Sequence, residues 1–135
     1  MAHLSRIFFT TLTSSFLLAS APAIAFEFTF DWSGLKSCTS GNPNTVTNPM
    51  FVLNDVPSGT KFIRFKLVDR DAPGYSHGGG MVEYKGQSMI APGAFKYKSP
   101  CPPGGHHTYE WTATAQTEKN GGKLGVAKAA REYPE

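Results

Sequence analysis

The stretch Ser99-Pro100-Cys101-Pro102-Pro103-Gly104-Gly105-His106-His107-Thr108-Tyr109-Glu110-Trp111-Thr112-Ala113-Thr114-Ala115 decides the fold of this 135-residue chain. Its first half contains three prolines, which fix the backbone angle φ, and two glycines, which permit positive φ. This combination predicts a rigid, turning loop. Its second half alternates strictly between apolar and polar side chains, and that period of two is typical of a half-buried strand. We therefore expect a central strand over residues 107–116, entered from a stiff loop.

Earlier in the chain, three more runs have the pattern of strands. Residues 26–32 alternate four large aromatic side chains with polar ones, residues 50–53 form a short apolar run, and residues 61–69 alternate again. In the last run Ile63, Phe65 and Leu67 should face inward and Arg64 and Lys66 outward, with Phe62 and Val68 partly covered. Residues 39–49 consist almost entirely of turn formers and predict a loop.

The remaining segments have weaker signals. Residues 74–80 predict a flexible, glycine-rich loop, and 81–84, 88–90 and 94–97 are candidates for short strands. Residues 118–122 predict a polar turn, and Leu124 to Glu132 have the composition of a short helix. Trp32 and Trp111 are expected in the core. The predicted fold class is therefore all-β with one short C-terminal helix.

The N-terminus has the features of a secretory signal peptide over residues 1–25. A basic residue, Arg6, precedes a short apolar segment, and Ala23-Ile24-Ala25 supplies small residues for cleavage before Phe26. A buried N-terminal helix is the alternative interpretation. Residues 26–135 then form a single domain without a transmembrane segment, in the periplasm or outside the cell. Its net charge of +2, without any basic block, argues against binding to nucleic acid.

Cys38 and Cys101 are the only cysteines of the chain. In an oxidising compartment a disulfide between them is favoured over two free thiols. A cysteine metal site is disfavoured because no C-x-x-C spacing occurs. We therefore predict a disulfide that ties the loop after the first strand to the proline-rich loop.

The polar residues that could bind a ligand or take part in a reaction lie where two predicted strands meet loops. Asp69 and Asp71 end one strand, and His106 and His107 begin the central one. The two histidines are adjacent on a strand, so they face opposite ways, and His107 shares its face with Tyr109. An aspartate that accepts a hydrogen bond from one imidazole nitrogen would orient the ring, leaving the other nitrogen for a ligand. Asp71 is equally explained by a turn-capping role.

These motifs resemble the phosphatidylethanolamine-binding protein family, and most closely its bacterial Raf-kinase-inhibitor-like branch. The resemblance covers most of residues 28–130 and is carried by Asp69-x-Asp71-Ala72-Pro73 followed by Cys101-Pro102-Pro103-Gly104-x-His106-His107-x-Tyr109. Two upstream segments are also similar to that branch, Cys38-x-x-Gly41-Asn42 and Val56-Pro57-Ser58-Gly59-Thr60.

The resemblance implies an antiparallel Greek-key β sandwich with a small anion pocket at one end, which binds phosphate-like head groups. The residues that match the family's pocket are Asp69, Asp71, Pro73, His77, Pro102, Pro103, His107 and Tyr109. No cofactor and no catalytic residue are implied. The expected ligand is a small anion or a phospholipid head group.

Two other function classes remain open from the sequence. The chain could be an inhibitor or regulator that binds another exported protein, such as a protease or a kinase-like partner. It could also be a metal-dependent hydrolase that uses Asp69, His77 and His107, although it has neither an H-E-x-x-H nor a G-x-S-x-G motif. A non-catalytic, exported binding protein is the interpretation that the residues favour.

Overall fold

The computed structural model describes residues 17–135. Within that range the chain forms nine strands and no helix. In chain order the strands are β1 (Glu27–Thr29), β2 (Thr45–Thr47), β3 (Phe51–Asn54), β4 (Phe62–Asp69), β5 (Gly79–Glu83), β6 (Met89–Ile90), β7 (Lys96–Lys98), β8 (His107–Glu118) and β9 (Gly121–Tyr133).

The strands make up three antiparallel sheets. The largest has the order β5-β4-β8-β9, the second has the order β1-β3-β6, and the third pairs β2 with β7. The register between β4 and β8 runs from Phe62 opposite Gln116 to Asp69 opposite Tyr109. The C-terminal end of β4 therefore lies beside the N-terminal end of β8, where both strands meet the loops that hold the polar motifs.

An aromatic core fills the space between the two larger sheets. Phe51 of β3 stacks on Phe65 of β4 with 4.3 Å between ring centroids, and it meets Trp111 of β8 edge-on at 5.3 Å. Phe28 of β1 contacts Phe65 in the same edge-on way. Offset stacks and edge-to-face pairs are the favoured arrangements of aromatic rings. These contacts fix the three-stranded sheet onto the inner face of the four-stranded one.

The alternating patterns predicted the strands of this core correctly. Ile63, Phe65 and Leu67 are almost completely buried, whereas Arg64 and Lys66 are exposed. Trp32 and Trp111 are both buried in the core. The central strand β8 extends two residues beyond the predicted 107–116. The aromatic run 26–32 alternates in burial as expected, although only its middle residues pair as β1.

The predicted helix over residues 124–132 is wrong, because these residues belong to β9. Strand β9 pairs with β8 from Glu118 opposite Gly121 to His107 opposite Tyr133. The helical expectation relied on the intrinsic preferences of alanine, lysine and glutamate, which are weak compared with tertiary context. Without β9, the long strand β8 would leave one edge of backbone hydrogen-bonding groups unpaired.

Two loop predictions also need correction. The segment 39–49 contains the short strand β2, which pairs with β7. The glycines at the end of the segment 74–80 do not belong to the predicted flexible loop, since Gly79 and Gly80 pair with β4 as the start of β5. A Cβ atom at Gly79 would collide with the Phe65 carbonyl, and one at Gly80 with the Phe95 ring. These positions require glycine because neighbouring atoms approach so closely.

The predicted signal peptide lies mostly outside the described residues, since these begin at Leu17. Residues 17–25 have no regular structure and are largely exposed. Cleavage before Phe26 stays a prediction. Among the described residues, no helix has the length and apolar character needed to cross a bilayer.

Candidate functional site

A small cavity lies where β4 ends and β8 begins. Its volume is about 160 Å³. The residues that line it come from four segments of the chain: Gly41, Pro43, Asp69, Ala72, Tyr75, His77, Cys101, Pro102, Pro103, His107 and Tyr109. Six of the eight residues that the sequence predicted as a site are therefore gathered around one cavity.

Asp69 is the organising residue of this cavity. It is 3% exposed, and its carboxylate accepts three hydrogen bonds. Oδ2 accepts one from His107 Nδ1 at 2.7 Å, and Oδ1 accepts two from the backbone N–H groups of Asp71 and Ala72 at 2.9 and 3.1 Å. The carboxylate thus closes the turn after β4 with one oxygen and orients an imidazole ring with the other.

These hydrogen bonds keep Asp69 ionised in spite of its burial. Burial raises the pKa of the Asp69 carboxyl, but the hydrogen bond from His107 and those from the backbone of Asp71 and Ala72 outweigh it. The net pKa lies below the ordinary value for aspartate. An ionised carboxylate can only accept hydrogen bonds, so His107 must donate from Nδ1.

The two histidines of the cavity are held in the same way. His77 is 3% exposed, and its Nδ1 lies 2.8 Å from the backbone carbonyl of Lys98, which can only accept. His77 therefore also carries a proton on Nδ1, and in both rings Nε2 is the nitrogen left for a ligand. When the ring is neutral, Nε2 accepts a hydrogen bond. It becomes a donor to an anion only when the imidazole is protonated.

Tyr109 forms the floor between the two rings. It is 1% exposed, with ring centroids 5.4 Å from His77 and 6.2 Å from His107. Burial raises the pKa of the Tyr109 hydroxyl, and the negative charge of Asp69 raises it further. The hydroxyl consequently keeps its proton at physiological pH and can serve as a neutral donor.

A disulfide closes one side of the cavity, as the sequence predicted. Cys38 and Cys101 are bonded, with their Cα atoms 4.7 Å apart. The loop after Cys38 is also bonded to the proline-rich loop, since Gly104 N–H donates to the carbonyl of Thr39 at 3.0 Å. Gly41 and Pro43 reach the cavity through this connection.

Three polar or turn residues from the sequence motifs lie outside the cavity. Asp71 is exposed, and its Oδ2 accepts a hydrogen bond from the Thr108 N–H at 2.7 Å, which ties the turn after β4 to β8. Pro73 is exposed and does not line the cavity. His106 is also exposed, near Glu132, so the two adjacent histidines do face opposite ways.

Sequence reasoning missed five of the lining residues: Gly41, Pro43, Ala72, Tyr75 and Cys101. The predicted disulfide was a usable signal for the first two and for Cys101, because a bond from Cys38 must bring its neighbours to the proline-rich loop. Tyr75 had no such signal. Its ring packs edge-on against His77 with centroids 4.7 Å apart, from a loop without sequence periodicity.

A cluster of metal-ligand residues overlaps this site. Asp69, Asp71 and His107 each offer an atom within 4.8 Å of the others, whereas the predicted set of Asp69, His77 and His107 does not form that cluster among residues 17–135. Both Asp69 oxygens, Asp71 Oδ2 and His107 Nδ1 already take part in protein hydrogen bonds. The geometry is explained by these bonds without a metal ion.

Comparison with known proteins relates this architecture to one solved structure in particular. The chain superimposes on the crystal structure of a phosphatidylethanolamine-binding protein homologue from Chlamydia trachomatis with a TM-score of 0.58. The fold is that of a phosphatidylethanolamine-binding protein homologue. The match covers 84% of this chain and 99% of the chlamydial chain at 17% sequence identity, so the phosphatidylethanolamine-binding-protein-like fold is shared although few residues are. No protein-family model and no curated protein sequence matches the chain.

Proposed function

We propose that this chain is an exported, non-catalytic binding protein whose cavity takes a phosphate-like anion, either free or as a phospholipid head group. The observation that carries the proposal is the pair of histidines, each held at Nδ1 by the protein and left with Nε2 for a ligand. The likeness to a phosphatidylethanolamine-binding protein homologue supports the same class of ligand.

The size of the cavity limits the ligand. Sites for drug-sized molecules occupy about 300–1,000 Å³. A volume of about 160 Å³ is smaller than that range. A phosphate group with a short substituent fits such a space, and the acyl chains of a lipid would have to remain outside.

The charges around the cavity make anion binding depend on the histidines. Among residues 17–135 no lysine or arginine lines the cavity, and Asp69 contributes a negative charge. Protonated His107 would neutralise Asp69, and protonated His77 would add the positive charge that an anion needs. The Tyr109 hydroxyl supplies a further donor without charge. Affinity for an anion should therefore rise as the imidazoles gain protons.

The composition of the cavity supports a binding role over catalysis. In the described part of the chain, its lining contains no serine, threonine or lysine, and the cysteine that lines it, Cys101, is in the disulfide. The carboxylate of Asp69 is fully engaged in hydrogen bonds. A serine–histidine or cysteine–histidine mechanism would need a free hydroxyl or thiol nucleophile from serine or cysteine beside the imidazole, and the described lining residues supply neither. Export is supported by the disulfide and by the predicted signal peptide.

The proposal is tested by calorimetric titration of the protein with phosphoethanolamine at about pH 6, where histidine is substantially protonated. His107→Ala should weaken binding about ten- to a hundred-fold, which corresponds to about 1.5–3 kcal/mol for a charged hydrogen bond. His106→Ala is the matched control, because His106 is the adjacent histidine and lies outside the cavity. Equal losses in both variants would contradict the site.

A second titration with sulfate isolates the role of histidine protonation, since sulfate keeps its charge over the relevant range. Binding to the wild-type protein should be weaker at about pH 8 than at about pH 5, because a ring whose Nδ1 already carries a proton donates from Nε2 only in its protonated form. Affinity that is constant over this range would show that the histidines do not act as the anion's donors.

A further inference from the structure

A larger groove lies along β2, separate from the anion cavity. Its volume is about 560 Å³. One wall consists of residues 31–36 and the other of residues 45–49, with Pro92, Lys96 and Tyr97 completing the lining. None of these residues lines the anion cavity. The groove therefore needs an explanation of its own.

The hydrogen bonds around β2 show which backbone groups point away from β7. Asn44 accepts from Ser99 N–H at 2.8 Å, and Asn48 N–H donates to Phe95 at 3.0 Å, so both residues are in bonded pairs with the β7 side. In an antiparallel ladder bonded and non-bonded pairs alternate. Val46 is therefore in a bonded pair with Tyr97, and Thr45 and Thr47 direct their N–H and C=O groups to the opposite side.

That opposite side of β2 is an open strand edge. The sheet contains only β2 and β7, and within residues 17–135 no other backbone or side-chain group bonds to Thr45 or Thr47. The Lys98 N–H, opposite Thr45, turns away from β2 to the His77 carbonyl, as the alternation requires. Two N–H groups and two C=O groups are thus arranged at strand spacing along the wall of the groove.

We propose that this groove binds an extended, acidic segment of another exported protein, which adds to the edge of β2 as an antiparallel or parallel strand. Backbone hydrogen bonds to Thr45 and Thr47 would supply the affinity, as in other cases of strand addition. The groove volume, above about 300 Å³, is sufficient for a short peptide. Strand β2 has three residues, which correspond to about 10 Å of strand edge.

The charges of the groove indicate the chemistry of the partner. Lys36 and Lys96 line it, both are exposed, and neither forms a salt bridge within the described part of the chain. Asp31 also lines the groove, and its carboxylate keeps its negative charge while it accepts hydrogen bonds from the Ser33 N–H and hydroxyl. Two lysines and one aspartate leave the lining with a formal net charge of +1. Leu35, Val46 and Tyr97 add apolar surface, so the segment should alternate acidic and apolar residues.

The first test uses a defined probe, the capped heptapeptide of alternating Glu and Val, and amide hydrogen exchange of the protein. Without peptide, the amides of Thr45 and Thr47 should exchange rapidly and that of Val46 slowly. With saturating peptide, exchange at Thr45 and Thr47 should slow at least tenfold, while Val46 changes little. Unchanged exchange at both threonines, or failure of the peptide to bind at millimolar concentration, would overturn the proposal.

A matched pair of variants tests the backbone contact itself. Thr47→Pro removes the outward N–H without touching the bonds to β7, since proline is tolerated on edge strands. It should weaken peptide binding about three- to tenfold. Thr47→Val retains the N–H and should bind like the wild type. Both variants should keep wild-type affinity for phosphoethanolamine, which reports that the fold is intact. Equal peptide affinities in the two variants would overturn strand addition.

The charge and the occupant are tested with the same assay. The protein's affinity for the peptide should fall when each Glu of the peptide is replaced by Gln, and it should fall further when each Glu is replaced by Lys. The reverse order would contradict an acidic partner. Sedimentation of the protein without peptide identifies a competing occupant. A dimer that protects Thr45 and Thr47 from exchange would assign the edge to a second copy of this chain and overturn the proposed partner.

Discussion

The two ends of the β4–β8 pair each bury a polar side chain to a similar extent, but they differ in how many of its polar atoms have hydrogen-bond partners. At one end Asp69, 3% exposed, has both carboxylate oxygens in hydrogen bonds. At the other end Gln116 is 7% exposed, and its Oε1 is buried without a hydrogen-bond partner. The register between β8 and β9 also shifts beside Gln116, between it and Ala115.

The difference shows where this fold concentrates its polar interactions. A buried polar group without a partner costs free energy, and most proteins avoid it. Around Asp69 the turn after β4 and the imidazole of His107 supply the donors, and the Cys38–Cys101 disulfide closes one side of the same cavity. Within residues 17–135 the side chain of Gln116 itself makes one long hydrogen bond, from Nε2 to the Gly121 carbonyl at 3.3 Å. The hydrogen-bonding capacity of the buried side chain is therefore satisfied at both carboxylate oxygens of Asp69 but not at Oε1 of Gln116.

Removal of the disulfide should produce the largest loss at the Asp69 end. The bond joins residues 63 positions apart, and the loop-closure entropy of such a loop corresponds to about 4 kcal/mol. The double variant Cys38→Ala and Cys101→Ala should lose about this amount of unfolding free energy in urea denaturation. A change of less than about 1 kcal/mol would contradict the view that the bond stabilises this end.

Asp69→Asn should cost less, about 1–3 kcal/mol at pH 7, because the amide cannot satisfy all three donors that now meet the carboxylate. The cost should also depend on pH. The pKa of Asp69 is lowered in the folded state, so its stabilisation is fully present above its unfolded pKa of about 3.9. It is then lost as the pH falls through the folded pKa.

Urea denaturation of the wild type and Asp69→Asn at neutral pH and at about pH 3 checks this dependence. The gap in stability between the two proteins should narrow in acid. A gap that is the same at both pH values would mean that ionised Asp69 is not the stabilising form.

Gln116→Met should have the smallest effect, within about 0.5 kcal/mol of the wild type and of either sign. The substitution removes the unpartnered Oε1 and a weak hydrogen bond, and an apolar group of similar shape replaces them. The measurement is the same urea denaturation. A loss of unfolding free energy as large as that of Asp69→Asn would contradict the view that the Gln116 side chain contributes much less to stability than Asp69.

The sequence predicted the core better than the edges of the fold. Strict alternation identified β4 and β8, because one face of each strand packs against aromatic side chains and the other does not. It failed for β9, where most side chains are exposed and burial alternates only weakly. Such an edge strand is defined by the partner beside it, which local propensity cannot report.

The candidate site was predictable in part for a similar reason. Asp69, His107 and Tyr109 lie at the ends of well-defined strands, so their approach followed from the expected pairing. Tyr75 and Gly41 come from irregular loops, whose course depends on long-range contacts such as the disulfide and the packing on His77. The tautomers of the two histidines needed the structure, because the carbonyl of Lys98 fixes one of them.

The central claim is that Asp69 orients His107 toward an anion, and it is tested by calorimetric titration of Asp69→Asn with phosphoethanolamine at about pH 6. Simple electrostatics predicts tighter binding, since the substitution removes a negative charge beside the ligand. If Asp69 acts by orienting His107, binding should instead weaken, because the imidazole loses the carboxylate that accepts its Nδ1–H. In the wild type Nδ1 lies 2.7 Å from Asp69 Oδ2. We expect weaker binding than in the wild type. Equal or tighter binding by Asp69→Asn would contradict the account.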